Sequence, residues 1–336
     1  MPSNLTEFLF EYGMFLAKFS TVLIVVVAVL LLILMMVLRA KAGDDEHLNI
    51  KNINHKYEQM RFILESAILS KKELKQKAKD EKAAQKKREK QNEDSDPRKR
   101  VFVLDFKGDI RASEVSSLRE EISSLLTVTK KGDEVLVLVE SGGGTVHGYG
   151  LAASQLHRVR DRGIKLTVSV DKVAASGGYM MACVADHVIA APFAIVGSIG
   201  VLAQIPNFHR LLKKHDIDFE QIAAGKYKRT LTMFGENTEA DRDKLKEELE
   251  ETHILFKDFV KENRDKVDID KIATGEHWYG SQALELGLVD EIRTSDDYLA
   301  IASAEADIYS IQYERKKPLA EKIFSSTIKL FQDEKY

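Results

Sequence analysis

The 336-residue sequence has one cysteine, Cys183. No disulfide can form within the chain, and no cysteine-rich metal site can be built. Cys183 lies in an apolar stretch, where a packed thiol is expected rather than a reactive one. There is no HExxH and no close pairing of cysteine with histidine, and the nine histidines are scattered; no metal site is supported. A phosphate loop is missing, because Gly225-Lys226 is followed by Tyr227 rather than by Ser or Thr. The GxSxG of a hydrolase elbow is missing too, since Ala174 stands where its first glycine would be. The net charge is only −3. The lysine-rich run Lys71 to Lys90 has no interleaved aromatics as far as Arg100, which argues against nucleic acid as a partner and for a solvated spacer.

One long apolar run is present. Phe19 to Leu38 carries no charge in twenty positions, about 30 Å of helix and the thickness of a hydrocarbon core. Lys18 and Arg39 bracket it. No small-residue cleavage site follows, so it reads as an uncleaved single-pass anchor in a lipid bilayer. The next best run, Val188 to Ala203, is broken by Pro192, Gly197 and Gly200 and reads as core. Arg39 and Lys41 follow the anchor while Glu7 and Glu11 precede it, and the positive-inside rule places the large C-terminal part in the cytoplasm. Long domains translocate regardless of such charge, so the side stays open.

These features divide the chain into an N-terminal segment (1–18), an anchor (19–38), a charged helical or disordered connector (40–100) closed by Asp96-Pro97, a folded domain (101–315) and a basic, partly amphipathic tail (316–336). In the connector, Ile50, Tyr57, Met60, Leu64 and Ile68 are expected to line one packed helix face.

The folded domain alternates strands and helices. Val101–Phe106, Glu134–Val139, Leu166–Val170 and His187–Ala190 read as buried strands. Between them lie a helix capped by Ser113, with Val115, Leu118, Ile122 and Leu125 on one face, and a helix Gly148–Arg162 stopped at Gly163. This is the pattern of parallel βαβ units. Further on, Phe208–Lys214 reads as a short helix, Phe219–Ala223 as an edge strand, and Asn237 or Thr238 as the cap of a long helix with Leu245, Leu249, Phe256 and Phe259 on its buried face.

In a parallel sheet the binding crevice lies beyond the C-terminal strand ends. Two loops leave strands there. One, Glu140-Ser141-Gly142-Gly143-Gly144, leaves the strand Glu134–Val139; the other, containing Ala174-Ala175-Ser176-Gly177-Gly178, follows the strand Leu166–Val170, and if those strands are neighbours the glycine loop and the serine face one crevice. Ser176 sits where strand gives way to helix, with the helix's free N–H groups beside it. It is either an N-cap or a nucleophile beside an oxyanion hole. Gly148-Tyr149-Gly150-Leu151-Ala152-Ala153 matches a loose dinucleotide fingerprint, but the connection before it is longer than the tight turn that fold needs. Asp186 and His187 are adjacent on a strand, point to opposite faces and make a poor relay. The remaining candidate base is a lysine stripped of water. Lys228 stands in a basic cluster with Lys226 and Arg229, beside Tyr227.

The runs VLVESGGGTV, VAASGGYMMACVADHVIAAPFAIVGSIGV, AGKYKRTL and ATGEHWYGSQALELGLVDEI resemble, in order, the signal peptide peptidase family of serine-lysine endopeptidases. With the anchor and connector in front, the likeness is to a bacterial inner-membrane branch and spans essentially the whole chain. The resemblance implies an α/β, ClpP/crotonase-like fold and cleavage of peptides or partly unfolded proteins through an acyl-enzyme, with no cofactor. It implies Ser176 as nucleophile, Lys228 as general base, Ser198 as the residue orienting that lysine, and Gly143 and Gly177 as oxyanion donors. It also implies a homo-oligomer. Where the family loop reads Asn-Ser-Pro-Gly-Gly, this chain has Glu140-Ser141-Gly142-Gly143-Gly144, which loosens it. A catalytically silent scaffold and a crotonase-type acyl-CoA enzyme are the competing functions on such a fold.

Overall fold

The structure, a computed structural model, describes residues 3–41, 46–92, 98–225, 227–228 and 230–314. It forms two units, divided at His47 and Tyr313. The tail 316–336, Asp96-Pro97, Lys226 and Arg229 lie outside the described residues.

The first unit contains helix α1 (Ser3–Lys41). Its stretch Phe10–Met35 is long and apolar enough to cross a membrane, and none of it is buried. The span starts nine residues before the uncharged run, because Phe10, Tyr12, Met14, Phe15 and Leu16 extend the apolar surface around Glu11 and Lys18.

The second unit is an α/β domain, and it recruits the connector. Strand β1 (His47–Asn52) precedes helices α2 (Ile53–Ile68) and α3 (Lys71–Asn92). Ile50 is therefore in a strand. On α2 only the first turns pack: Ile53 and Tyr57 join a buried cluster with Val101, Val103 and Leu299. Met60, Leu64 and Ile68 stay exposed, because the helix runs on past that cluster. The expected packed face is thus only half realised, and the domain begins before Val101.

Then follow β2 (Lys99–Gly108), α4 (Val115–Leu125), β3 (Glu134–Ser141), α5 (Val146–Arg160), β4 (Lys165–Val170), β5 (Val173–Ala175), α6 (Gly177–Ala182), β6 (His187–Ala190), β7 (Ile195–Gly197), α7 (His209–Lys214), α8 (Glu239–Asn263), α9 (Ile269–Ile272), β8 (His277–Tyr279), α10 (Gly280–Glu285), β9 (Glu291–Ile292), α11 (Ser295–Glu305) and β10 (Ala306–Glu314). The main sheet runs β1-β10-β2-β3-β4-β6-β9. Its pairs from β10 to β9 are all parallel, as the βαβ pattern requires. Side chains of β2 alternate between faces: Phe102, Leu104 and Phe106 meet the cluster holding Leu118, Ile122 and Leu156, while Val101 and Val103 meet the other.

Val115, Leu118, Ile122 and Leu125 are buried on α4 as expected. Ser113 is not its cap: its N–H and Oγ both donate to the Asp109 carboxylate at 2.8 Å, and Glu114 takes the N-cap position. Thr238 caps α8 in a reciprocal pair with Asp241. Phe219–Ala223 is no strand; its residues are exposed and irregular, and among the described residues no strand pairs with them. At the sheet's N-terminal edge, buried Glu134 accepts from Lys99, Thr167 and Tyr298. Burial opposes its ionisation, but these bonds win and hold it below the usual carboxylate range.

Candidate active site

At the opposite edge, strands β3 and β5 end side by side, with Ser141 in register with Ala174. Ser176 does not follow β4 directly. The chain turns after Val170 and forms the separate three-residue strand β5, which pairs with β3 and β7 and not with β4. The condition for a shared crevice is met all the same: the glycine loop leaves β3 just where Ser176 leaves β5.

Ser176 adopts φ 52° and ψ −117°, a region that costs a non-glycine residue about 1–3 kcal/mol. Two backbone bonds hold it there. Its N–H donates to Gly197 O at 2.7 Å, and its carbonyl accepts from Met180 N–H at 2.9 Å. The side chain makes no capping bond to α6. The helix-cap reading therefore fails, and a half-buried hydroxyl is left at a strained strand-to-helix corner.

Ser198 stands one residue past Gly197, which is in register with Ala175. It is therefore the cross-strand neighbour of Ser176. It too has positive φ (53°), with its N–H donating to Glu276 O at 2.7 Å.

The glycine loop closes the other side. Gly143 has φ 88°, and a Cβ there would lie 2.7 Å from Gly177 N and 2.8 Å from Ser176 Cβ; only glycine allows this approach. Gly143 N–H donates to Ser141 Oγ at 3.0 Å. Among the described residues, Gly144 N–H and Gly177 N–H have no hydrogen-bond acceptor. A carbonyl oxygen that turns anionic here would meet the unengaged Gly177 amide at the start of α6, with that of Gly144 in the facing loop.

Gly143, Gly177, Ser176 and Ser198 line one cavity of about 830 Å³. Met180, Leu202 and Phe256 give it apolar walls, and among the described residues its one ionisable lining side chain is His253. Two lining residues escaped the sequence reading. Thr145 Oγ1 and His253 Nε2 are the described buried side-chain polar atoms that lack a hydrogen-bond partner. Thr145 is at the N-cap of α5 without capping it, a departure that no sequence pattern signals.

Lys228 is elsewhere. It is exposed and lines a second cavity of about 820 Å³ with Ile205, Phe219, Ile222 and Phe234. Its neighbour Tyr227 is covered by the Lys244 ammonium, 5.2 Å from the ring centre. Within one chain the structure thus brings four of the five expected site residues together and leaves the lysine apart. The pair Asp186 and His187 is divided as expected: Asp186 binds Arg160, and His187 faces Glu291. Cys183 is fully buried, and burial pushes its thiol up to about 12.

Comparison with known proteins bears on this geometry. Residues 7–156 match the model of the peptidase family S49 N-terminal region, and residues 158–309 match that of peptidase family S49. A Haemophilus influenzae protein named "Probable protease SohB" is 52% identical over 95% of this chain and 92% of its own length. A protein of the same name from Buchnera aphidicola subsp. Acyrthosiphon pisum is 60% identical over 68% of each chain. Another, from Buchnera aphidicola subsp. Schlechtendalia chinensis, is 48% identical over 87% of this chain and 99% of its own.

Proposed function

The chain belongs to peptidase family S49, and from that premise we propose that it is a membrane-anchored serine endopeptidase with Ser176 as nucleophile and Lys228 as general base. One observation carries the reading: Ser176 is held in a strained conformation, unused as a cap, facing a cavity between the glycine loop and the Gly177 amide.

In this mechanism the neutral Lys228 amine takes the Ser176 proton as Oγ attacks the scissile carbonyl. Ser198 orients the amine. Gly177 N–H and Gly144 N–H stabilise the oxyanion, each donor being worth about 3 kcal/mol. Gly143 N–H, expected from the resemblance to be a donor, is engaged by Ser141 Oγ, so Gly143 contributes by its close approach to Gly177 and not by its amide. Collapse releases the amine product, protonated by the lysine, and leaves an acyl ester on Ser176. Water, deprotonated by the same lysine, hydrolyses that ester. A cavity of about 830 Å³ takes a few side chains of an extended chain, so peptides and partly unfolded proteins are the substrates. Phe10–Met35 anchors the enzyme in a bacterial inner membrane.

Lys228 reaches a serine when the surface formed by the described residues around α7 and Lys228 packs on a second copy in a homo-oligomer. That surface exposes Leu202, Leu211 and Ile222, the last at 96%, and is suited to burial. Such packing would also strip water from the lysine, which its role as a base requires. A second reading has one observation in its favour: His253, whose Nε2 has no partner, is the ionisable side chain lining the Ser176 cavity, and it would serve as the base within one chain.

The test is cleavage of a casein-like unfolded chain by the full-length protein and three variants. Ser176→Ala and Lys228→Ala are expected to be inactive with unchanged melting temperatures, while His253→Gln keeps turnover. Full activity in Ser176→Ala would refute the mechanism, and full activity in Lys228→Ala would refute the choice of base.

A further inference from the structure

We infer that Tyr149, acting through Ser141, is the positioning residue that holds the oxyanion loop of the Ser176 site; the inference rests on the peptidase mechanism proposed above. Tyr149 lies in the first turn of α5 and is fully buried. It touches both halves of the site. Its ring lies beneath Gly177, where an added Cβ would fall 2.3 Å from Tyr149 Cγ. Its hydroxyl donates to Asp109 O at 2.7 Å and lies 2.5 Å from Ser141 Oγ.

A hydroxyl has one proton. Ser141 Oγ has two acceptors in reach, Tyr149 Oη at 2.5 Å and the Gly108 carbonyl at 3.2 Å. With the Tyr149 proton on the Asp109 carbonyl, the Ser141 proton goes to the nearer Tyr149 oxygen. The lone pairs of Ser141 Oγ are then free to accept Gly143 N–H at 3.0 Å. Donation runs one way, from Gly143 N–H to Ser141 Oγ to Tyr149 Oη to the Asp109 carbonyl. Gly108 completes the fit: a Cβ there would lie 2.4 Å from Tyr149 Oη and 2.7 Å from Ser141 Oγ.

The loop needs such a holder. Gly142, Gly143 and Gly144 are consecutive glycines, whose ordering costs more backbone entropy than that of any other residue. They have no side chains to anchor them, and Gly142 occupies the place where a proline would stiffen the chain. The bond from Gly143 to Ser141 is the loop's side-chain tether, and Tyr149 locks the tether's proton. Because the same ring supports Gly177, one residue keeps the two amide sources in register. Ser141 and Tyr149 touch no substrate, so both act through the loop.

The experiment is steady-state cleavage of a fluorogenic peptide by full-length Tyr149→Phe, Ser141→Ala and the double variant, with Ser176→Ala as control. Binding of a peptide boronate, which mimics the tetrahedral intermediate, is measured in parallel. Tyr149→Phe keeps the ring under Gly177 and removes only the hydroxyl. Its kcat is expected to fall roughly 10- to 100-fold, short of the 10²–10³ for outright loss of an oxyanion donor. KM should stay within about twofold, and boronate affinity should fall by the same factor as kcat. Ser141→Ala should match it, and the double variant should fall no further, as for two links of one chain. Unchanged or raised kcat in either single variant, a loss confined to KM, or additive losses in the double variant would overturn the inference. Should Ser176→Ala still cleave, the site reading itself falls and the inference with it. An inactive Ser176→Ala beside a fully active Tyr149→Phe sinks the inference alone.

Discussion

Glu121 makes the stability of this domain depend on pH near neutrality. It lies on the inward face of α4, 5% exposed, and its Oε1 accepts Tyr313 N–H at 2.8 Å. Burial raises its pKa, the Tyr313 bond lowers it, and Glu114 and Asp105 add to the rise. The result is a shift from an ordinary 4.5 to about 7. Below about 4.5 the carboxyl is protonated in both folded and unfolded chains, and its contribution to stability is fully present. As pH rises toward 7 the unfolded chain gives up the proton first, and stability falls; above 7 the loss is complete. A shift of about 2.5 units is worth on the order of 3 kcal/mol. Glu121→Gln keeps an acceptor for Tyr313 and removes the titration. About 2.5 kcal/mol of this falls between pH 5 and pH 8, so the melting temperature of Glu121→Gln minus that of wild type should grow over that interval by about 5–10 °C, at roughly 2–4 °C per kcal/mol. Thermal denaturation of the detergent-solubilised full chain at the two pH values measures it. A difference that does not change with pH would refute the reasoning.

Other outcomes follow from buried groups. Arg264, 7% exposed, binds Asp290 through two bonds of 2.8 and 2.9 Å and Gly287 O at 2.7 Å. Asp290→Ala leaves that guanidinium buried without its counter-charge and should cost about 3–5 kcal/mol, read as the loss on chemical denaturation. Cys183 should resist alkylation at pH 8 in the folded protein and react only in denaturant, because its thiol is fully buried and pushed up to about 12. Mass spectrometry after iodoacetamide treatment checks it.

What could be read in advance was whatever rests on short-range pattern. The apolar runs of β2 to β4, the α4 stripe and the Gly163 stop are local signals, and each element formed. The meeting of the glycine loop and Ser176 at one sheet edge followed from parallel topology; that Ser176 leaves the separate strand β5 rather than β4 did not. What escaped depends on contacts between distant residues. Strands β5, β7 and β8 have three residues each, too few to show any period, yet they build the wall behind Ser176. Strand β1 becomes a strand only because the far C-terminal β10 offers it an edge. Phe219–Ala223 has strand-like composition and, among the described residues, no partner edge. The hydroxyl path through Tyr149 was invisible because Gly148-Tyr149-Gly150 reads as a fingerprint fragment, and nothing in a sequence reports hydrogen bonds from one helix to Ser141 in β3 and to Asp109 just past β2.

The role proposed for Lys228 can be tested by combining two variants. Ser176→Ala keeps the lysine, and Lys228→Ala keeps the serine. If Lys228 serves the serine of an adjacent copy around a closed head-to-tail ring, equal co-assembly puts an intact serine against an intact lysine at about a quarter of the interfaces. Co-expressed, differently tagged copies should then recover about a quarter of wild-type turnover while each variant alone stays inactive. If the lysine instead swings to the serine of its own chain, every chain lacks one partner and the mixture stays inactive. If His253 is the base, Lys228→Ala is active without any mixing. Recovery is the expected outcome. A lysine can accept a proton only where water no longer surrounds it, and the residues around Lys228, Ile222 and Phe234 among them, are themselves exposed. One event, the burial of that surface on a second copy, would cover the apolar side chains and dry the amine together; an inactive mixture would show that it does not happen.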